Sequence, residues 1–218
     1  MPQNPNKGRP RKEEGRAVYE ALLEAARECL EKKPYHKITI KEVAQRAQTN
    51  SAMISYYFGG KGDLFVHLVE TMFDELHGIF QSLISVRHAA GQNPNEQLLE
   101  MLIPFYGKWL NVMRLFTSEA VLYNTNMRAV YKTRLARGMF QDVRQYLQSM
   151  VARSIFRSDL DCNNEAVSLS NVLSNPLHFL PFLAASSPRK IYVGTVIQPE
   201  EWRLAFAEYL NQQLMPRK

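Results

Sequence analysis

Residues 39–61 hold the side chains with the most definite chemistry in this chain of 218 residues. Asn50, Ser51 and Met53 fall within one helical turn, directly after Gln48-Thr49. A carboxamide can hydrogen-bond adenine at two atoms, a hydroxyl can bond several bases, and the apolar end of methionine can meet a thymine methyl. Tyr56, one turn further on, extends the set offered to base edges. Tyr57 and Lys61 can donate to phosphates. The Thr39 hydroxyl and Lys41 stand at the start of another predicted helix, where backbone amides also favour a phosphate. Nearer the N-terminus, Gly8-Arg9-Pro10-Arg11-Lys12 carries Arg9 and Arg11. Arginines so placed suit a narrow A·T-rich minor groove. They equally suit a solvated tail that adds general affinity, and the sequence leaves both readings open.

The elements that must position these groups are legible around them. Thr39-Ile40-Lys41-Glu42 is a capping-box signature, with the Thr39 hydroxyl accepting from the Glu42 amide and the Glu42 carboxylate reaching back. It opens a short helix whose inner face is Ile40, Val43, Ala44 and Ala47. Gln48-Thr49-Asn50 forms a turn, and Asn50 is an N-cap for a second short helix over about Ser51–Phe58. Gly59-Gly60 stops that helix. Ahead of the pair, Val18, Leu22, Ala25, Ala26 and Cys29 mark one face of a helix from Arg16, ended by Lys32-Lys33-Pro34. Behind it, Asp63 charges the start of a long helix carrying Phe65, Leu68, Val69, Met72, Phe73, Leu76, Phe80 and Leu83 at helical spacing. A short helix braced by another, with small Ala44 and Ala47 at the crossing, is a helix-turn-helix that can enter a major groove about 12 Å wide.

The remainder reads as all-α. Residues Arg87–Asn95 form a loop, and helical segments follow over roughly 95–110, 112–123, 126–157 and 164–185, with Pro104 and Pro176 as kinks. Residues 186–198 are irregular; Lys190–Ile197 is the nearest approach to a strand. A last helix spans 199–214, with Trp202, Phe206, Tyr209 and Leu210 on one face. The expected architecture is an N-terminal three-helix helix-turn-helix domain plus a C-terminal helical bundle, about nine helices in all. Its parts are a flexible basic arm (1–14), a helix-turn-helix DNA-binding domain (15–62) and a helical domain (63–218), to which the family resemblance given below assigns ligand binding and dimerisation.

Charge supports a polyanion partner for the first part. The net charge is +6. Residues 1–62 contribute 12 Lys and Arg against 7 Asp and Glu, or +5; residues 63–218 contribute 15 against 14, or +1. No apolar run approaches the roughly 18 residues of a membrane span, and with so polar a start no signal peptide is expected. Cys29 and Cys162 follow no metal or disulfide spacing and read as reduced thiols. Asp74, Glu75 and His77 cluster without a second pair and read as a solvated face. With no HExxH, phosphate loop or nucleophile elbow, neither an enzyme, a metal site nor a cofactor is expected.

Two stretches then carry a family resemblance. Thr39-Ile40-Lys41-Glu42-Val43-Ala44-Gln45-Arg46-Ala47 and Ile54-Ser55-Tyr56-Tyr57-Phe58-Gly59-Gly60-Lys61-Gly62-Asp63-Leu64-Phe65 resemble the TetR family (TetR/AcrR type) of transcription regulators. The match covers about residues 16–70. Many members have Gly-Val-Ser where this chain has Gln48-Thr49-Asn50, Gly for Ala52, Tyr for Ser55, His for Tyr57 and Glu for Gly62. The resemblance implies a cytoplasmic, nucleoid-associated repressor that reads a near-palindromic operator as a homodimer, paired through helices about 164–185 and 199–214. It also implies a ligand pocket that shifts the long helix after Lys61. Large adaptable side chains in the middle of the chain suit such a pocket: Phe105, Trp109, Met113, Phe116, Tyr123, Met127, Phe140 and His178, with Tyr106, Tyr131, Met139, Tyr146 and Phe179 of the same kind. They point to a mainly apolar small-molecule effector. Two competing readings are a helical binding or catalytic bundle without specific DNA binding, and a nonspecific nucleoid-type binder.

Overall fold

A computed structural model describes residues 12–86, 92–113, 115, 125–174 and 199–216, all helix or turn, with no strand among them. The arm with Arg9 and Arg11, the pocket candidates Phe116, Tyr123 and His178, Pro176 and the strand candidate Lys190–Ile197 lie outside the described residues. Helix α1 spans Lys12–Lys32, and a single 3₁₀ turn, Tyr35–Lys37, leads to α2, Ile40–Arg46. Then come α3, Ala52–Phe58, and α4, Lys61–Ser85. Helix α5 is Pro94–Met113. Helix α6, Thr125–Val130, runs through a π-helical stretch, Tyr131–Met139, into α7, Phe140–Ala152. Helices α8, Cys162–Ser174, and α9, Pro199–Leu214, complete the order.

Helix α4 is the hub. It packs on α1 and α3 at its start and on α5, α6, the π stretch and α7 further along. Its inner face, from Leu64 and Phe65 to Phe80 and Leu83, is buried. At full burial each such side chain contributes about 1.5–3 kcal/mol of hydrophobic stabilisation. The buried Tyr106 hydroxyl donates to the Leu173 carbonyl at 2.7 Å and so ties α5 to α8. Asn93 and Asn95 both donate to the Asn211 side-chain oxygen, at 3.1 and 2.8 Å, and hold α9 against the start of α5.

Four boundaries differ from the sequence expectation. Helix α1 begins at Lys12, inside the expected arm, because the last proline is Pro10 and a single Gly15 costs only about 1 kcal/mol in a helix. The expected break near residue 111 is absent: Leu110, Val112 and Met113 are all buried, and their packing carries α5 through Asn111. Pro104 lies inside α5 on its exposed side, where the ladder bond it lacks faces water.

The expected helix 126–157 ends at Ala152, where Ser154 turns the chain with φ +58°. Two arginines in that turn serve other helices. Arg153 donates to the carbonyls of Ile84 and Val86 at the end of α4. Arg157 donates through Nε to the Gln213 carbonyl at 2.9 Å and through its amide to the Leu214 carbonyl at 2.9 Å, capping α9. Helix α8 starts at Cys162, two residues earlier than expected, because Asp161 Oδ1 accepts from the amides of Asn163 and Asn164.

Candidate nucleic-acid interface

The capped start of α2 forms as its residues dictate. The Thr39 hydroxyl accepts from the Glu42 amide at 3.3 Å. Glu42 also pairs with Lys33, just past the end of α1, at 2.6 Å, and Arg46 pairs with Glu28 of α1 at 2.8 Å, so that two ion pairs brace α2. The Glu42 carboxyl sits below the usual carboxylate range, first through the Lys33 hydrogen bond and also through the Thr39 amide. Arg46 is thereby committed to the fold, while Lys41 is exposed.

The turn into α3 contains a left-handed residue, Gln48, at φ +53°. This is where many relatives of the resembling family carry glycine. The Thr49 amide returns to the Ala44 carbonyl at 2.9 Å and closes the turn. Asn50 Oδ1 accepts from the Ala52 amide at 2.9 Å and from the Ser51 hydroxyl at 3.5 Å. Asn50 thus caps α3 as expected, and the side-chain amide hydrogens remain its donors toward a base. At the other end Gly59, at φ +80°, closes α3 in the left-handed cap.

Helix α3 turns Ile54 and Phe58 inward and leaves Asn50, Ser51, Ala52, Ser55 and Tyr56 exposed. Tyr56 is 65% exposed, unusual for a tyrosine on so small a domain, and its ring meets Tyr57 edge-on at 4.9 Å. Ser55 was not singled out by sequence, although it shares this face; its i+3 relation to Ala52 was the available signal. The exposed Lys37 in the 3₁₀ turn is a further unanticipated cation beside Thr39.

Three sequence-nominated contacts have other partners. Met53 is half-buried against the core, with only part of its surface left for a thymine methyl. Tyr57 is half-buried beside Tyr19, edge to ring at 6.1 Å. Lys61 donates to the Tyr35 carbonyl at 2.8 Å and lies 4.3 Å from the centre of the Tyr35 ring. Burial lowers its pKa, with Lys33 adding to the shift. Lys61 pins the start of α4 to the 3₁₀ turn, and only its remaining donors can face a phosphate. Behind α3 an aromatic group joins three helices. Tyr19 stacks on Phe58 at 4.8 Å, His67 meets Phe58 at 5.4 Å, and the Tyr19 hydroxyl and His67 Nδ1 are 3.1 Å apart.

A sequence profile of "Bacterial regulatory proteins, tetR family" matches residues 22–68, the stretch just described. Over these residues the chain is similar to the TetR family. The Bacillus subtilis protein named "Probable HTH-type transcriptional regulator YttP" is 27% identical over 117 residues, covering 52% of this chain and 56% of YttP, so that the match spans little more than half of that relative. Among solved structures, a transcriptional regulator from Saccharomonospora viridis in complex with choline superposes with a TM-score of 0.69 at 18% identity, over 92% of this chain and 98% of that one. A TetR-family regulator from Mesorhizobium loti gives 0.64 at 18%, over 93% and 98%. Reduced NemR from E. coli gives 0.64 at 14%, over 92% and 100%. At these identities the likeness is one of fold, and it extends through the helical domain that the profile does not reach.

In the helical domain, Phe105, Trp109, Met113 and Met127 are buried core residues and Phe140 is half-buried. The indole N–H of Trp109 is buried without a hydrogen-bond partner. None of these five lines the cavity of about 330 Å³ that opens between α4 and residues 134–145; Met139 does. Asp74, Glu75 and His77 are not merely a solvated face. They pair with Arg134, Lys108 and Asp142 respectively, the last at 2.7 Å, and fasten α4 to its neighbours. Among the described residues no three His, Cys, Asp or Glu side chains converge as metal ligands, and no helix is long and apolar enough to cross a membrane.

Proposed function

We propose that this protein is a ligand-responsive, sequence-specific DNA-binding transcription regulator that represses from a near-palindromic operator as a homodimer in the cytoplasm. The observation that carries this reading is α3: a helix capped at both ends and braced from behind, presenting Asn50, Ser51, Ser55 and Tyr56 to solvent. Such a face meets base edges, while Lys41, Thr39 and the free part of Tyr57 flank it for phosphates. Arg9 and Arg11 add minor-groove or general backbone affinity. The exposed apolar residues Val167 of α8 and Leu204 and Tyr209 of α9 support pairing of two chains through these helices.

The response to a small molecule follows from connectivity. Two glycines separate α3 from α4, and Lys61 fixes the junction, so a displacement of α4 carries α3 with it. In a dimer that changes the spacing of two recognition helices, which must sit about 34 Å apart on one face of the duplex. An effector shifts this equilibrium by its differential affinity for the two states.

Selection of bound sequences from a random double-stranded DNA pool, at near-physiological salt, tests the proposal. The expected result is an enriched palindrome with half-sites about one helical turn apart. Tyr56→Ala should then weaken binding to that site by about tenfold or more without lowering the unfolding temperature. Binding without enrichment, lost at moderate salt, would show a nonspecific binder instead.

A further inference from the structure

The cavity of about 330 Å³ between α4 and residues 134–145 has two unlike walls. Phe73 and Leu76 of α4 and Met139 of the π stretch, all nearly buried, form an apolar floor. The polar part of the lining is His77, Asp142 and Arg134, with Gln141 and Gln145. His77 Nδ1 and Asp142 Oδ1 are 2.7 Å apart, so Asp142 already has a partner and is a poor receptor for a ligand cation. Arg134 is different. One of its terminal nitrogens pairs with Asp74, yet its Nε–H is buried with no hydrogen-bond partner. A buried donor left unmade costs free energy that an incoming acceptor recovers. Asp74 is 70% exposed, so water readily replaces Arg134 as its partner.

The wall itself is built to leave space. Residues 131–139 are π-helical, a conformation that is rarely kept over more than one turn and recurs at functional sites. Gly138 lines the cavity, and a Cβ placed there would meet nothing nearer than the Thr133 carbonyl at 3.5 Å. A side chain can therefore start from position 138 without displacing a neighbour.

We propose that this cavity binds a small amphipathic carboxylic acid, its carboxylate on the Arg134 guanidinium and its apolar part on Phe73, Leu76 and Met139. The volume, at the lower end for ligand sites, suits a single ring with a short acidic arm. The regulatory consequence rests on the reading of this protein as a ligand-responsive regulator. The acid takes Arg134 from Asp74 and so releases α4 from the π stretch, thirteen residues beyond the Lys61 junction with the recognition helix.

The test uses the full chain without DNA, so that its failure is separate from failure of operator binding. Thermal unfolding is followed with phenylacetate, phenylacetamide and phenethylamine, a matched acid, neutral amide and amine. Phenylacetate should raise the unfolding temperature saturably in the millimolar range, and apparent affinity should be at least about tenfold weaker for the other two. Arg134→Met should abolish the acid's effect by removing the donor. Gly138→Leu should abolish it by filling the space, in a helix that favours leucine over glycine. An acid effect that survives both substitutions, equal effects from acid and amide, a stronger effect from the amine, or none from any of the three would each overturn the proposal. If phenylacetate binds as stated, its release of the selected operator DNA then tests the consequence independently.

Discussion

In residues 34–67 the ties are mostly local: Thr39 caps its own helix, Asn50 caps the next and Gly59 closes it, while Lys61 reaches back to the turn at Tyr35. Behind Lys61 the ties span long stretches of chain. Tyr106 reaches Leu173, Asn95 reaches Asn211, Arg153 reaches Val86 and Arg157 reaches Gln213. The difference teaches how each region responds to change. The first holds its shape through capping and turn chemistry written into adjacent residues. The second holds its shape only once distant helices have docked, and can rearrange when one docking contact is exchanged. A self-contained capped unit joined to a body held by distant contacts is what the proposed ligand-responsive DNA binder requires.

The comparison can be broken at the aromatic group where the two regions meet. Phe58→Ala removes the ring between Tyr19 and His67 and should cost about 3–5 kcal/mol. Urea unfolding should show that loss, and DNA binding should fall with it. An effect on the unfolding of α1–α3 alone would show two independent regions rather than one cooperative unit. Next in size is Tyr106→Phe, which removes the hydrogen bond from α5 to the Leu173 carbonyl of α8 and should cost about 1.5 kcal/mol. If the regions differ as described, hydrogen exchange should rise in α5 and α8 and stay unchanged in α2 and α3.

Local substitutions sharpen the other side. Thr39→Ala should cost about 1 kcal/mol and Thr39→Ser much less, since serine restores the acceptor for the Glu42 amide. Gln48→Gly should stabilise the domain by about 0.5 kcal/mol, because a left-handed residue with a Cβ costs roughly 1–2 kcal/mol and glycine loses part of that gain through the unfolded chain. The smallest effect is at the seam of α1. Arg27 donates to Glu24 at 2.6 Å and to the Lys108 carbonyl at 3.3 Å. The Arg27 hydrogen bond holds the Glu24 carboxyl below its ordinary value. A lowered folded pKa means that this contribution is present above the ordinary carboxylate value and fades as pH falls through the folded one. Glu24 is about half exposed, so Glu24→Gln should cost only about 0.3 kcal/mol near neutrality, and the difference should vanish in acid.

What the sequence by itself determined is nearly the whole of the reading head. The capping box at Thr39, the Asn50 cap, the Gly59 stop and the inward face of Ile54 and Phe58 each follow from residues within a few positions of one another, where propensity and period act directly. Even the departure at Gln48 was visible, although its meaning, a left-handed backbone without glycine, needed φ. Tertiary structure decided the rest. Met53, Tyr57 and Lys61 look alike available in sequence, yet packing commits part of each to the domain's own core. Packing also carried α5 through Asn111 and turned Arg153 and Arg157 into caps for helices far away in sequence. Methionines and aromatics at helical spacing serve a core or a cavity equally well. Which they serve depends on the volume left between docked helices, and no periodicity along one chain encodes that volume.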